Sequence, residues 1–158
     1  MLTNPTTSLS RAATSTFESL AFLVPEELPA IGAELVPLAA SASVTWRGPV
    51  TGRVVIGVSR GVLRAVAENM LGAHAADDAT TQRDALGEVA NVVTGNVLPL
   101  VAGADAVFRL DAPALADGAS FAAHAGETRH ALLHLRMDEG DAILAFYAEA
   151  AAAVAEAA

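Results

Sequence analysis

The feature that most constrains this chain is a hydrophobic period of two between Ala42 and Val58. Ala42, Val44 and Trp46 alternate with Ser43, Thr45 and Arg47, then Val54, Ile56 and Val58 alternate with Arg53, Val55 and Gly57. The RGPVTG between the two runs is turn chemistry, so the pair reads as an antiparallel hairpin with one buried face. A second hairpin follows near the other end, where Ala131, Leu133, Leu135 and Met137 alternate with His130, His134 and Arg136. There DEGD makes the turn, and Leu144, Phe146 and Ala148 return. A strand near Ala106 to Leu110, Pro113 and a Gly/Asp-rich loop precede it.

Segments of helical period alternate with these strands. Phe17, Leu20, Ala21 and Val24 fall at i, i+3, i+4 and i+7. Ser15 with Glu18 fits a capping box, with a start near Ser10 as the other option, and Pro25 ends the segment. A second helix over about Arg60 to Leu71 stops at Gly72, and a polar loop leads into a third from Arg83 to Asn96. Residues 1–10 show no period and are expected as a flexible arm. The Ala-rich residues 149–158 have helical propensity but little to bury, and are expected as a frayed tail around a single domain of residues 11–148. The class is α/β of the α+β kind with a largely antiparallel sheet, and the element order hints at two similar halves.

Composition narrows the chemistry. At 158 residues and 53% hydrophobic content, the chain buries one substantial core. It has no cysteine, so thiol nucleophiles and thiolate metal sites are excluded. A net charge of −9, with nine arginines, no lysine and no basic cluster, argues against a nucleic-acid partner. The chain lacks a basic, apolar leader and any apolar run of about 18 residues, so a cytoplasmic location without membrane insertion is expected.

The third helix, RDALGEVANVVTGN, raises a question about its outer face. At about 100° per residue, Leu86, Val89, Ala90, Val93, Val97 and Leu100 share the side laid on the sheet. Asp84, Glu88, Asn91 and Gly95 form a narrow stripe on the other side. Acidic and amide residues are ordinary on a solvated helix face. Gly87 and Gly95 are less so, since each costs roughly 1 kcal/mol against alanine, and each points to close packing or to close approach by a partner. Elsewhere, His130 and His134 share a strand with Leu132 between them, and no metal site is expected. No Gly-x-Ser-x-Gly nucleophile motif occurs.

The stretch DALGEVANVVTGN resembles the signature helix of the CheC/CheX/FliY family of chemotaxis phosphatases, whose motif runs Asp or Ser, three residues, Glu, two residues, Asn, about 21 residues, Pro. Asp84, Glu88 and Asn91 fit that spacing, and 21 residues separate Asn91 from Pro113. TFESLAFLVPEE, SASVTWRGPVTGRVVIGVS and LRAVAENMLG resemble the first helix, first hairpin and second helix of CheX-like domains. The resemblance implies a CheC-like fold with two long helices packed on one face of the sheet. Relatives of the CheC and FliY kind carry two motifs, but here Glu18 is followed three residues later by Ala21 in place of asparagine, which implies a single site as in the CheX branch.

It further implies a phosphorylated response-regulator receiver as partner, with the aspartyl phosphate and Mg²⁺ both on the receiver and no cofactor on this chain. Asn91 is the expected water-positioning residue and Glu88 the expected anchor. Asp84 and Gly95 are expected at the partner interface, with Asp84 equally suited to complementing the helix dipole. Pro113 is expected to end a strand and shape a loop rather than touch substrate. A homodimer paired through sheet edges is implied as well. The alternative is a receiver-binding module that hydrolyses nothing.

Overall fold

The structure is a computed structural model, and residues 1–156 are described. Its elements in chain order are β1 (Leu2–Thr3), α1 (Pro5–Leu20), β2 (Glu26–Leu28), β3 (Ala40–Arg47), β4 (Gly52–Val58), α2 (Arg60–Leu71), α3 (Ala79–Ala102), β5 (Arg109–Leu110), β6 (Ala114–Asp117), β7 (Glu127–Met137), β8 (Gly140–Glu149) and β9 (Val154–Ala155). Short 3₁₀ turns lie at Ala33–Leu35 and Ala73–Ala75.

The two expected hairpins form the centre of one antiparallel sheet in the order β2, β7, β8, β4, β3, β5, with β6 also pairing β3. Val44 faces Val54 in the first hairpin, Leu133 faces Leu144 in the second, and β4 pairs β8 between them. Each edge strand pairs with the hairpin of the other half of the chain: β2 lies on β7, and β6 lies on β3. The two halves hinted at by element order are thus present and strand-exchanged.

The helices cover one face of this sheet. Phe17 of α1, Val66 of α2 and Val89 and Val93 of α3 join Trp46, Val54, Ile56, Leu144 and Phe146 in the main core, all with no exposed surface. Trp46 packs on Phe146 with ring centroids 5.0 Å apart, which bears out its reading as a core residue. The outer face is not bare. Ala33, Val55, Phe121, Ile143, Ala145 and Tyr147 form a second, smaller cluster there. All seven residues of β4 are therefore buried, where alternation alone implied a single buried face.

Several boundaries differ from expectation. Residues 1–10 are not a loose arm, because Leu2 is 2% exposed, β1 runs parallel to β9 and α1 already begins at Pro5. Proline suits the first helical turn, where its missing N–H has no partner to lose. Ser15 and Glu18 consequently lie inside α1 and do not cap it. The 149–158 tail contains β9, so it is anchored by the same pairing, while residues 157 and 158 lie outside the described residues. The end of α1 falls at Leu20 rather than at Pro25: Phe22 takes a positive φ of 56°, which turns Leu23 inward to 2% exposure and leaves Phe22 70% exposed. The third helix is longer than its periodic segment. Asp78 caps it by accepting from the Thr81 N–H, and those Thr81 contacts, hydroxyl first, hold the Asp78 carboxyl below its usual range.

Candidate active site on the third helix

The outer stripe of α3 faces the loop that carries Pro113. Arg83, Asp84, Gly87, Glu88, Asn91, Pro113 and Leu115 line a cleft of about 270 Å³ between that helix and the start of β6. Folding therefore brings together Asp84, Glu88 and Asn91, which are adjacent on one helix face, and Pro113, which is not. Pro113 shapes the loop between β5 and β6 but does not itself end a strand, since β5 stops at Leu110 and β6 begins at Ala114, and it also forms the wall of the cleft opposite Gly87. A methyl group at Gly87 would lie 3.5 Å from Pro113 Cβ and 3.6 Å from Leu115 Cδ2, an ordinary contact. The glycine is compatible with this packing but not forced by it.

Within the cleft the side chains differ in exposure. Asp84 and Glu88 are exposed, whereas Asn91 is half-buried. Its Oδ1 is fully buried and has no hydrogen-bond partner in the structure. A buried carbonyl oxygen without a donor costs about 1–3 kcal/mol, and a rotation of the carboxamide that turned this oxygen into the cleft would let a water or a ligand donor satisfy it. The base of the helix is rigidly set, because Leu86, Val89, Ala90 and Val93 are wholly buried against the sheet. Of the residues assigned to that buried side, Leu100 departs, at 38% exposed; on either side of Pro99, Leu98 and Val101 turn inward in its place, where β1 meets the helix.

Gly95 lies outside the cleft. It borders a second depression of about 170 Å³ with Leu98, Pro99, Ala106, Phe108 and Leu110. No heavy atom lies within 4 Å of where its methyl group would be, so packing does not account for this glycine. The histidines singled out in sequence are separated in role. His134 is buried and its Nε2 pairs with Asp141 Oδ1 at 2.7 Å, while His130 sits at the bulge of β7 with its Nε2 buried and burial holding its pKa below the usual value. Arg83 and Leu115 were not singled out in sequence. Arg83 opens the helical segment but has no motif around it, and only the return of β6 onto α3 brings Leu115 there.

A family model described as the chemotaxis phosphatase CheX matches residues 40–135, more than half of the chain and the span that holds the cleft. This chain belongs to the CheX family. Solved structures agree on the fold. The chemotaxis protein CheX of Vibrio vulnificus superposes with a TM-score of 0.75 at 18% identity, covering 90% of this chain and 95% of that one. A chemotactic CheC-like protein of Shewanella oneidensis gives 0.67 at 23% identity, with 90% and 94% covered. A complex of CheX with CheY, BeF3 and Mg²⁺ from Borrelia burgdorferi gives 0.63 at 16% identity, with 90% and 95% covered. No curated protein matches the sequence. The CheC-like fold with long helices α1 and α3 on one face is as expected from the resemblance.

Proposed function

We propose that this CheX-family chain hydrolyses the aspartyl phosphate of a response-regulator receiver, with Asn91 placing the water. The observation that carries this reading is the Asn91 carboxamide, half-buried in a cleft beside Glu88, with its oxygen lacking a donor. The complex of the Borrelia relative with CheY supports a receiver as the partner class.

An acyl phosphate is already reactive, so catalysis consists mainly of holding a water in line with the phosphorus–oxygen bond. The water oxygen bonds to phosphorus, the bond to the receiver's carboxylate oxygen breaks, and inorganic phosphate and a free aspartate result. A carboxamide orients the water through its oxygen or its NH₂ and adds no negative charge beside the phosphoryl group. Glu88 anchors the helix by pairing with a basic group of the receiver, a charge-assisted contact worth about 1.5–3 kcal/mol. Asp84 extends that contact by one turn, and Gly95 lets the partner's backbone or side chain approach the helix. Mg²⁺ is supplied by the receiver, and this chain contributes no metal ligand or organic cofactor.

Phosphate release from a phosphorylated receiver tests the reading. Asn91→Ala is expected to lower turnover about 10²-fold with receiver affinity nearly unchanged, because the lost group acts mainly in the transition state. Glu88→Ala is expected to weaken both. Wild-type turnover in Asn91→Ala would leave a receiver-binding module without catalysis. We also propose a homodimer formed through an edge of the sheet, since unpaired edges invite association. Light scattering that gives the monomer mass at tens of micromolar protein would exclude it.

A further inference from the structure

Arg83 has no part in the chemistry above, yet it is the one basic residue lining the cleft. Its Nη2 donates to Asp117 Oδ1 at 2.6 Å, and Nε and Nη1 make no hydrogen bond among the described residues. The side chains are 47% and 83% exposed, so as a stabilising device the pair is worth little. What the pair does achieve is geometric. Asp117, at the end of β6, holds the guanidinium at the cleft rim with donors still available.

Position separates Arg83 from the reacting group. It precedes Asn91 by eight residues, about 12 Å along the helix axis, and helical side chains lean toward the N-terminus, away from Asn91. Arg83 therefore faces a part of the partner beside the phosphorylated site. Along the cleft the charges then run positive at Arg83 and negative at Asp84 and Glu88. On a chain of net charge −9, general attraction favours a basic partner surface. A single arginine beside an acidic stripe asks for something narrower, an acidic group at one defined place, and a partner lacking it partly desolvates the guanidinium while leaving Nε and Nη1 without an acceptor.

Resting on the functional reading above, we infer that Arg83, oriented by Asp117, is a specificity contact that pairs with a carboxylate on the receiver surface beside the phosphorylated site and not at it. The test is steady-state hydrolysis of a phosphorylated receiver, paired with binding of the same receiver loaded with beryllofluoride. Arg83→Ala should raise KM and Kd about tenfold while kcat stays within about twofold, and the KM penalty should shrink as salt is raised. Arg83→Lys should recover part of the affinity and Arg83→Glu should be worse than alanine. Asp117→Asn should raise KM by about two- to threefold through lost orientation. An Arg83→Ala protein with wild-type KM and Kd, alongside an inactive Asn91→Ala protein, would overturn the inference and leave the phosphatase reading standing. A wild-type protein that binds the loaded receiver without hydrolysing it would sink the phosphatase reading, and the Kd values alone would then decide on Arg83. A wild-type protein that does neither would overturn both.

Discussion

The two halves of the molecule place a long helix in the same setting and treat it differently. In each, the helix lies on one face of the sheet and is followed by a short edge strand, β2 after α1 and β6 after α3, which crosses to the opposite hairpin. On α3, Glu88 and Asn91 open into a cleft under Pro113. On α1, Glu18 is exposed, but the position three residues on is Ala21, wholly buried just past the end of the helix. The Ala21 carbonyl is taken by Asn69 Nδ2 of α2 at 2.8 Å. The two helices thus share a setting but not an extent. The α3 helix runs eleven residues past Asn91, to Ala102, whereas α1 has stopped by Ala21.

The largest expected effect sets the helices against each other directly. Asn91→Ala should cost about 10²-fold in phosphate release, while Glu18→Ala should leave both turnover and receiver affinity at wild-type values. Loss of activity in Glu18→Ala would show that α1 also takes part. Next comes an attempt to rebuild the missing motif. Ala21→Asn buries a carboxamide where no partner is free, so it should destabilise the fold by roughly 1–3 kcal/mol, seen as a drop in Tm of about 2–4 °C per kcal/mol, with no added phosphatase. A stable variant with doubled activity would erase the distinction between the halves.

The smallest effect sharpens the account of α3 alone. Gly95→Ala adds a methyl group with no atom within 4 Å, so Tm should rise in line with a helix propensity gain of about 0.5–1 kcal/mol. Receiver affinity should nevertheless fall by about threefold, because the methyl group occupies space the partner needs. If both stability and affinity rose, Gly95 would have no role at the interface.

Much of this could be read from the sequence because local pattern and tertiary placement coincide. Period two over Ala42 to Val58 is the first hairpin, and the spacing of Asp84, Glu88 and Asn91 is the cleft's helical wall. What escaped depends on distant partners. The tie between β1 and β9 joins residues at opposite ends of the chain, so periodicity near Leu2 or Val154 carries no trace of it. The inward turn at Leu23 depends on a positive φ at Phe22, a conformation that an aromatic residue rarely signals. Leu115 and Asp117 reach the site only because β6 crosses to β3, and the second cover over β4 comes from Ala33 and Phe121, far away in sequence. The sequence around Pro113 signals only its effect on the backbone, whereas its contact with the cleft depends on that same crossing.

The exchange of edge strands also has a consequence for when the cleft comes into being. Pairing β2 with β7 joins residues about a hundred positions apart, Leu28 with His134, and β6 with β3 joins Ala114 with Ser43. Such long loops close only after the hairpins and helices that they bridge have formed, since their entropy must be overcome before any contact rewards it. The wall that Pro113 raises over Asn91 belongs to one of these late closures. Neither half can complete its own sheet, so the cleft beside Asn91 is whole only once β6 has paired with β3, and a partly folded molecule presents the α3 stripe without its opposite wall.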